Sequence, residues 1–245
     1  MMDLKPNERL DDLQRGGLRI IQRTDGFRFG TDAVLLSDFA SARRRDRVCD
    51  LGTGTGVIPL LLYARESTIT ADAVEIQPDM AKMAARSVAL NGLEEKIRVL
   101  AGDLREIRTL LPHAQYDLVT CNPPYGKAGG TLLNPDAGKR LARHEESCAI
   151  SDVTRAAALL LRSGGRFCCI FPAARMLELL DALRAQRLEP KRLRLVHSNA
   201  RKAAHLCLAE GMLDARPGMM VEPPLVIYGE DGQYTREMRQ IYGME

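Results

Sequence analysis

Short apolar segments alternate with segments of helical periodicity along most of this chain. The apolar segments are rich in Val, Ile, Leu and Cys, which is typical of strands that are buried on both faces. They cover residues 48–51, 71–75, 97–101, 118–121 and 166–171. The helical segments cover residues 57–64, 78–90, 151–161 and 172–187. This alternation predicts an α/β fold, a doubly wound Rossmann-like sheet with helices on both faces.

Two further apolar segments, 193–196 and 204–209, are predicted strands near the C-terminus. Residues 198–202 are nearly all that separates them, whereas a parallel pair needs a long crossover connection. These two strands must therefore pair antiparallel. Beyond them, we expect a short strand at 225–228 and a final helix at 235–242.

The N-terminal region predicts a small extension. Residues 18–22 resemble a strand, Thr24-Asp25-Gly26 is a turn signal, and residues 27–29 could return as the second strand of a hairpin. Thr31 or Asp32 before the apolar run 33–40 marks a helix start.

We therefore expect a single domain over residues 1–245, in which a hairpin and a helix at 1–46 precede a core at 47–245. Residues 126–150 lack periodicity and are glycine-rich, which predicts a long loop. Long loops within a compact domain are usually functional or mobile.

Composition narrows the class of protein only slightly. The formal charge of +3, from 35 basic and 32 acidic residues, is too balanced to indicate a nucleic-acid partner by itself. Six cysteines lack the C-x-x-C spacing of zinc sites, so we predict no metal and expect buried thiols in a reducing compartment. Without a signal peptide or an apolar run of ~20 residues, the expected location is the cytoplasm, with no membrane contact.

Four polar residues lie at or just after the ends of the first four predicted strands of the core: Asp50, Glu75, Asp103 and Asn122. In open α/β sheets, ligands bind at the carboxyl ends of the strands. The sequence therefore predicts that these side chains converge on one binding edge.

A glycine-rich loop follows the first of these strands, with Gly52, Thr53, Gly54 and Gly56 ahead of a helix. Glycines allow a ligand to approach the backbone, and the helix directs its first amides to the same place. Glu75, 19 residues after Gly56, could accept hydrogen bonds from both hydroxyls of a ribose. A solvated strand end is the alternative interpretation of Glu75.

The loop and the acid would fit NAD as well as S-adenosylmethionine. The NAD fingerprint is G-x-G-x-x-G, but here Val57 stands where its third glycine should be. Asp50 favours a cationic ligand, with an amino group or a sulfonium, and would repel a pyrophosphate. Asp103 could accept a hydrogen bond from an adenine amino group, or it could cap the helical turn that begins at Leu104.

The segment Asn122-Pro123-Pro124-Tyr125 is the most specific signal in the chain. The two prolines fix an extended bend. The Asn122 side-chain oxygen and the Pro123 carbonyl could then each accept one proton of a planar NH2 group, which would direct its lone pair toward an electrophile. Tyr125 offers a face on which a planar base can stack. The alternative is a plain proline turn.

Together these motifs resemble the class I S-adenosylmethionine-dependent methyltransferases that modify amino nitrogens. The resemblance implies a seven-stranded sheet with one antiparallel strand. Within that class, the whole chain resembles the bacterial tRNA(Val) adenine-N6 methyltransferases, which act on the adenine beside the anticodon. Additional segments fit that family: Glu8-Arg9-Leu10-Asp11, Phe29-Gly30-Thr31-Asp32-Ala33-Val34-Leu35-Leu36, Ala142-Arg143-His144-Glu145 and Tyr234-Thr235.

The resemblance implies S-adenosylmethionine as the methyl donor, tRNA as the partner and direct displacement as the mechanism. It also implies that Gly30, Thr31 and Asp32 close over the methionine end of the donor. Two alternatives remain open. One is a glutamine-N5 methyltransferase of release factors, which carries the same Asn-Pro-Pro-Tyr motif. The other is a non-catalytic domain that binds RNA or senses a nucleotide.

Basic residues are concentrated at 184–205, and others follow the Asn-Pro-Pro-Tyr motif. They could contact RNA phosphates, or they could be ordinary solvated surface. The His144-Glu145 pair could serve acid–base chemistry, but a structural or RNA-facing role is the stronger interpretation. The basic residues that could contact RNA are Arg43 to Arg45, Lys127, Lys139, Arg140, Arg143, Arg184, Arg187, Lys191, Arg192, Arg194, Arg201 and Lys202.

Overall fold

The structure is a computed structural model that describes residues 4–24, 30–124 and 148–244. The strands in these ranges are β1 (Glu8–Asp12), β2 (Arg19–Arg23), β3 (Arg47–Leu51), β4 (Thr70–Glu75), β5 (Ile97–Ala101), β6 (Tyr116–Cys121), β7 (Leu161–Pro172), β8 (Leu188–His197), β9 (Ala204–Leu213), β10 (Met220–Val221) and β11 (Leu225–Val226). The α-helices are α1 (Thr31–Ala40), α2 (Val57–Arg65), α3 (Pro78–Leu90), α4 (Ile107–Leu110), α5 (Ile150–Leu160), α6 (Met176–Ala185) and α7 (Arg236–Tyr242). Short 3₁₀ turns cover Leu104–Glu106 and Ala173–Arg175.

The main sheet has the strand order β10-β8-β9-β7-β6-β3-β4-β5, and β11 also pairs with β8. The pairs among β3, β4, β5, β6 and β7 are parallel, while β9 is antiparallel to both β7 and β8. Seven strands with one antiparallel member are therefore confirmed. Two two-residue strands, β10 and β11, extend this sheet beyond β8.

Both faces of the sheet are covered, as the apolar runs predicted. Along β9, Leu206 and Leu208 join a core with α1, α2 and α7, whereas Cys207 and Ala209 join a second core with α5 and α6. Successive side chains of a strand point to opposite faces, so a strand between two layers of helices must be apolar on both. This arrangement is the doubly wound α/β fold.

Some element boundaries differ from the prediction. Helix α5 ends at Leu160, and β7 begins at once rather than at Arg166. The register between β6 and β7 shifts between Tyr116 and Leu118, so residues 162–165 form a bulge in which Gly164 has φ +76°. The Gly164-Gly165 pair therefore marks an irregularity inside the strand rather than its start.

The N-terminal ribbon pairs differently from the expected hairpin. Strand β2 pairs antiparallel with β1, whose residues Glu8–Asp12 are mostly charged and show no apolar periodicity. The ribbon packs on α3, where Arg86 forms two hydrogen bonds of 2.8 Å with the Glu8 carboxylate. The predicted return strand at 27–29 lies outside the described residues.

Helix α1 begins at Thr31, as predicted, but neither Thr31 nor Asp32 caps it. Gly30 occupies the N-cap position, and the helix has no side-chain capping hydrogen bond. In the described ranges, every helix is too short or too polar to cross a membrane.

Candidate donor and acceptor site

The strand register brings the predicted polar residues to one edge of the sheet. Asp50 on β3 is the direct neighbour of Thr120 on β6, two residues before Asn122. On the other side of β3, Leu51 pairs with Val74, so Glu75 ends β4 beside the glycine loop. Parallel strands in register end at the same edge, which explains why residues distant in sequence meet here.

The glycines of the loop serve two different purposes. Gly52, Gly54 and Gly56 all have positive φ, at 71°, 59° and 84°, a region in which a side chain is strained. A Cβ at Gly56 would lie 3.3 Å from the Cβ of Ala84, so this glycine lets the loop pack on α3. A Cβ at Gly52 or Gly54 would meet nothing within 4 Å. The loop therefore packs closely on one side and leaves space on the other.

Glu75 is only 4% exposed, which excludes a solvated strand end. Its two carboxylate oxygens accept hydrogen bonds from the backbone amides of Gly54, at 2.8 Å, and Gln77, at 2.9 Å. Glu75 thus holds the glycine loop against the end of β4. Each oxygen still has a lone pair for another donor, so the predicted contact with a ribose stays compatible with this geometry.

Asp50 is completely buried. The Thr120 hydroxyl donates a hydrogen bond of 2.6 Å to its Oδ1. Its Oδ2 and the nearby Thr53 Oγ1 are both buried without a hydrogen-bond partner of acceptable geometry among the described residues. Burial raises the pKa of Asp50 to about 7; the Thr120 and Thr53 hydroxyls oppose this rise, and the charge of Glu75 adds to it.

These two atoms show whether the site suits a methyl donor such as S-adenosylmethionine. An acceptor buried without a partner is unfavourable, because it has lost its hydrogen bonds to water. A ligand that brings a cation or an N–H group to Asp50 would remove this cost. The open side of Gly52 and Gly54 gives such a ligand room. The site therefore fits the donor's cationic end.

A surface cavity of about 380 Å³ is lined by residues that directly follow Glu75 in the sequence. Ile76, which sequence reasoning missed, lines it and is 45% exposed. The signal that the sequence does contain is an Ile directly after the acidic residue that ends the predicted strand 71–75. The remaining lining residues are Arg23, Gln77, Pro78, Asp79, Met80 and Met83.

Asp103 has a structural role that the sequence had left open. Its Oδ1 accepts the backbone amide of Arg105 at 2.9 Å and caps the 3₁₀ turn. The Arg105 guanidinium also pairs with this carboxylate and holds the pKa of Asp103 below its usual value. The cap interpretation is confirmed, whereas contact with an adenine stays a prediction.

The Asn-Pro-Pro segment follows β6 directly. Asn122 and Pro123 are half-buried and Pro124 is exposed. Thr120, a second residue that sequence reasoning missed, connects β6 to β3 through its hydrogen bond to Asp50. Residues 125–147, which include Tyr125, His144 and Glu145, lie outside the described residues.

The basic segment at 184–205 is largely neutralised within the chain. Arg192 pairs with Glu210 at 3.0 Å and Glu222 at 2.7 Å, while Arg194 pairs with Glu237 at 2.6 Å. These two guanidinium groups are therefore engaged in the fold. Arg187 and Arg201 also have acidic partners, Asp214 and Glu230, but lie in the solvent-exposed part of the segment.

This chain is similar in sequence to known methyltransferases. A family model described as the methyltransferase small domain matches residues 24–185. A tRNA1(Val) (adenine(37)-N6)-methyltransferase of Tolumonas auensis is 32% identical over 209 residues, which is 85% of each chain. An enzyme of the same name from Parabacteroides distasonis is 36% identical over 165 residues, 66% of this chain and 67% of the relative.

A solved structure shares the fold. It is described as a predicted O-methyltransferase from Agrobacterium tumefaciens and superposes with a TM-score of 0.72 at 23% identity. The match covers 86% of this chain and 95% of the other. At this identity the similarity bears on the architecture alone.

Proposed function

The chain belongs to the methyltransferase small domain family and to the tRNA1(Val) (adenine(37)-N6)-methyltransferases, and from this we propose that it methylates the N6 of an adenine beside the anticodon of tRNA, with S-adenosylmethionine as the donor. One observation carries the proposal on the structural side. Asp50, whose buried Oδ2 has no well-aligned hydrogen bond among the described residues, lies on β3 beside β6, the strand that Asn122 directly follows. A site for a cation and a site for an amino group are thus adjacent.

Side chains at or just after the ends of β3, β4 and β5 bind the methyl donor. Asp50 attracts the cationic end of the donor, and the free lone pairs of Glu75 accept its ribose hydroxyls. Ile76 offers an apolar surface to the adenine, with Asp103 near its amino group. Gly30, Thr31 and Asp32, at the start of α1, close over the methionine end.

Acceptor binding falls to the segment after β6. The Asn122 side-chain oxygen and the Pro123 carbonyl each accept one proton of the adenine amino group. The nitrogen lone pair is then directed at the methyl group, and Tyr125 stacks on the base. Positioning of this kind can lower a barrier by ~7–11 kcal/mol.

The reaction is a direct displacement. When bound, S-adenosylmethionine supplies an electrophilic methyl group. The bond from nitrogen to the methyl carbon forms as the carbon–sulfur bond breaks, and S-adenosylhomocysteine leaves. The nitrogen becomes more acidic as it bonds to carbon, so it releases its proton without a strong base, while the carbonyl acceptors stabilise the developing positive charge.

The test is methyl transfer from labelled S-adenosylmethionine to unmodified total tRNA, followed by digestion and identification of the nucleosides. The expected product is N6-methyladenosine, located beside the anticodon. In a parallel reaction that offers a release factor as the acceptor, label in its glutamine and none in the tRNA would replace this function with the protein methyltransferase. Donor binding or RNA binding without any transfer would favour a non-catalytic domain.

A further inference from the structure

Three tyrosines near the C-terminus stack into a ladder that no predicted function uses. The rings of Tyr228 and Tyr234 have centroids 5.3 Å apart at 15°, and those of Tyr234 and Tyr242 are 5.2 Å apart at 12°. At the inner end, the Tyr242 hydroxyl donates a hydrogen bond of 3.3 Å to Thr31 Oγ1. At the outer end, Tyr228 is 41% exposed although Tyr234 covers one face of its ring.

The ladder lies at the same edge of the sheet as the Asn122 segment. Strand β8 is antiparallel to β9, which is antiparallel to β7, so β8 runs in the direction of β7 and β6. Strand β11 is parallel to β8, with Val226 beside His197. Tyr228, two residues after β11, therefore emerges at the carboxyl edge, where acceptor binding is proposed.

The distance between the two places follows from the strand order. From β6 to β8 there are three interstrand steps, and β11 adds a fourth. At about 4.8 Å per step, Tyr228 lies roughly 20 Å from Asn122. That is too far for the reacting adenine and within reach of a nearby nucleotide of the same strand.

The outer end of the ladder also has cations beside it. The Tyr228 amide donates a hydrogen bond of 3.0 Å to the carbonyl of Ser198, in the turn that carries Arg201 and Lys202. Arg201 pairs with Glu230, but each side chain of this pair is 86% exposed. Such exposed pairs are weakly held, so Arg201 can exchange its carboxylate for a phosphate. The Arg192 and Arg194 side chains are only 24% and 15% exposed, so their ion pairs are held more firmly.

From this geometry we propose that Tyr228 is a stacking platform for an unpaired base of the RNA substrate, located a few nucleotides from the methylated adenine. The inference rests on the proposed function, because it names how that same substrate is held. Tyr234 and Tyr242 fix the platform ring in advance, which lowers the entropy lost on binding. Arg201 and Lys202 neutralise the phosphates next to the stacked base.

The experiment compares Tyr228→Leu with Tyr228→Phe in methylation of an unmodified tRNA1(Val) transcript. Base stacking on an aromatic ring predicts that Tyr228→Leu raises the KM for tRNA roughly tenfold or more. Its kcat and its dissociation constant for S-adenosylmethionine should stay near the wild-type values. Tyr228→Phe keeps the ring and should retain the wild-type KM.

A second measurement uses the wild-type protein and does not depend on the stability of a variant. Ultraviolet crosslinking of its complex with the transcript, followed by mass spectrometry, should locate a nucleotide on Tyr228. An unchanged KM in Tyr228→Leu would overturn the proposal. If that variant does not fold, a crosslink map without Tyr228 has the same consequence.

The wild-type reaction separates this inference from the function on which it rests. A wild-type protein that methylates tRNA, together with a normal KM in Tyr228→Leu, would remove only the platform. A wild-type protein that transfers no methyl group to tRNA would remove the proposed function, and the platform with it.

Discussion

Two regions of this molecule bury charged side chains. In one region the buried charge is paired with opposite charges of the fold, and in the other it is not. Between α1 and the β7–β9 part of the sheet, Arg166 is 4% exposed and pairs with Asp46 at 3.1 Å and Glu210 at 3.5 Å. It also donates a hydrogen bond of 2.9 Å to the carbonyl of Ala40. At the carboxyl ends of β3 and β4, Asp50 is also buried, but among the described residues it forms no ion pair and its Oδ2 forms no well-aligned hydrogen bond.

The difference indicates which region is structural and which binds a ligand. A buried charge whose partners are all supplied by the fold needs no ligand to balance it. A buried carboxylate without a counter-charge destabilises the fold and takes a raised pKa, as Asp50 does. Such a cost is typical of functional sites, where the bound molecule supplies the missing charge.

The largest expected effect is in the paired region. Among the described residues, Arg166→Met would leave Asp46 without a cationic partner and Glu210 with Arg192 alone. Removing one member of a buried ion pair typically costs about 3–5 kcal/mol, so the free energy of unfolding should fall by about that amount. Urea denaturation measures it.

The matched control is Arg201→Met, which breaks an ion pair between two side chains that are each 86% exposed. Its unfolding midpoint should remain at the wild-type value, because exposed pairs contribute little. Equal losses in the two variants would mean that burial does not distinguish these pairs.

A second prediction concerns the boundary between donor and acceptor. Asn122→Ala removes the proposed side-chain acceptor of the adenine amino group and leaves the Asp50 carboxylate in place. The kcat should fall roughly 10²–10³-fold, the usual effect of losing one group that stabilises charge in the transition state. Steady-state kinetics and calorimetry would measure turnover and donor affinity separately. A comparable loss of donor affinity would argue against the proposed role of Asn122.

A third prediction is a substitution of a buried charge that should raise the free energy of unfolding, whereas Arg166→Met should lower it. Asp50→Asn keeps an oxygen for the Thr120 hydroxyl but removes the buried charge. Donor affinity should weaken about 10–100-fold, because the cation of the donor loses its counter-charge. The donor-free variant should nevertheless be more stable than the wild type at about pH 8, by about 1 kcal/mol or more.

The pH dependence of stability follows from the same pKa. Burial raises the pKa of Asp50 from 3.8 to about 7, so between these values the folded wild type binds more protons than the unfolded chain. Its free energy of unfolding should therefore fall as the pH rises through this window, and Asp50→Asn should lack that contribution. Denaturation curves at several pH values would measure it, and parallel pH profiles for the two proteins would contradict it.

Much of the fold could be predicted from periodicity, because strands buried on both faces must be apolar throughout. The antiparallel pairing of β8 and β9 followed from a short connection alone. Strand β1 could not be found this way. Its residues Glu8–Asp12 are mostly charged, and the strand is held by a partner at β2 and by the ion pair between Glu8 and Arg86.

The candidate site was predictable where position along a strand decides it, as for Asp50, Glu75 and Asn122. Whether each charged side chain is paired or unpaired could not be predicted. Nothing in the sequence distinguishes an arginine paired inside the fold, such as Arg192, from a more exposed one, such as Arg201. Nor does it show that Thr120 bonds to Asp50, since that contact depends on the register between β3 and β6.

The most direct test of the account is the affinity for S-adenosylmethionine across about pH 6 to 8, measured by calorimetry in the wild type and in Asp50→Asn. Taking the ratio of the two affinities at each pH removes any protonation of the donor itself. If Asp50 is the counter-charge of the donor, the affinity of the wild type divided by that of Asp50→Asn should rise with pH through about 7, as Asp50 loses its proton. Above that pH the ratio should level off. A ratio near one at every pH would contradict the account, because the unpaired carboxylate would then have no part in binding the donor.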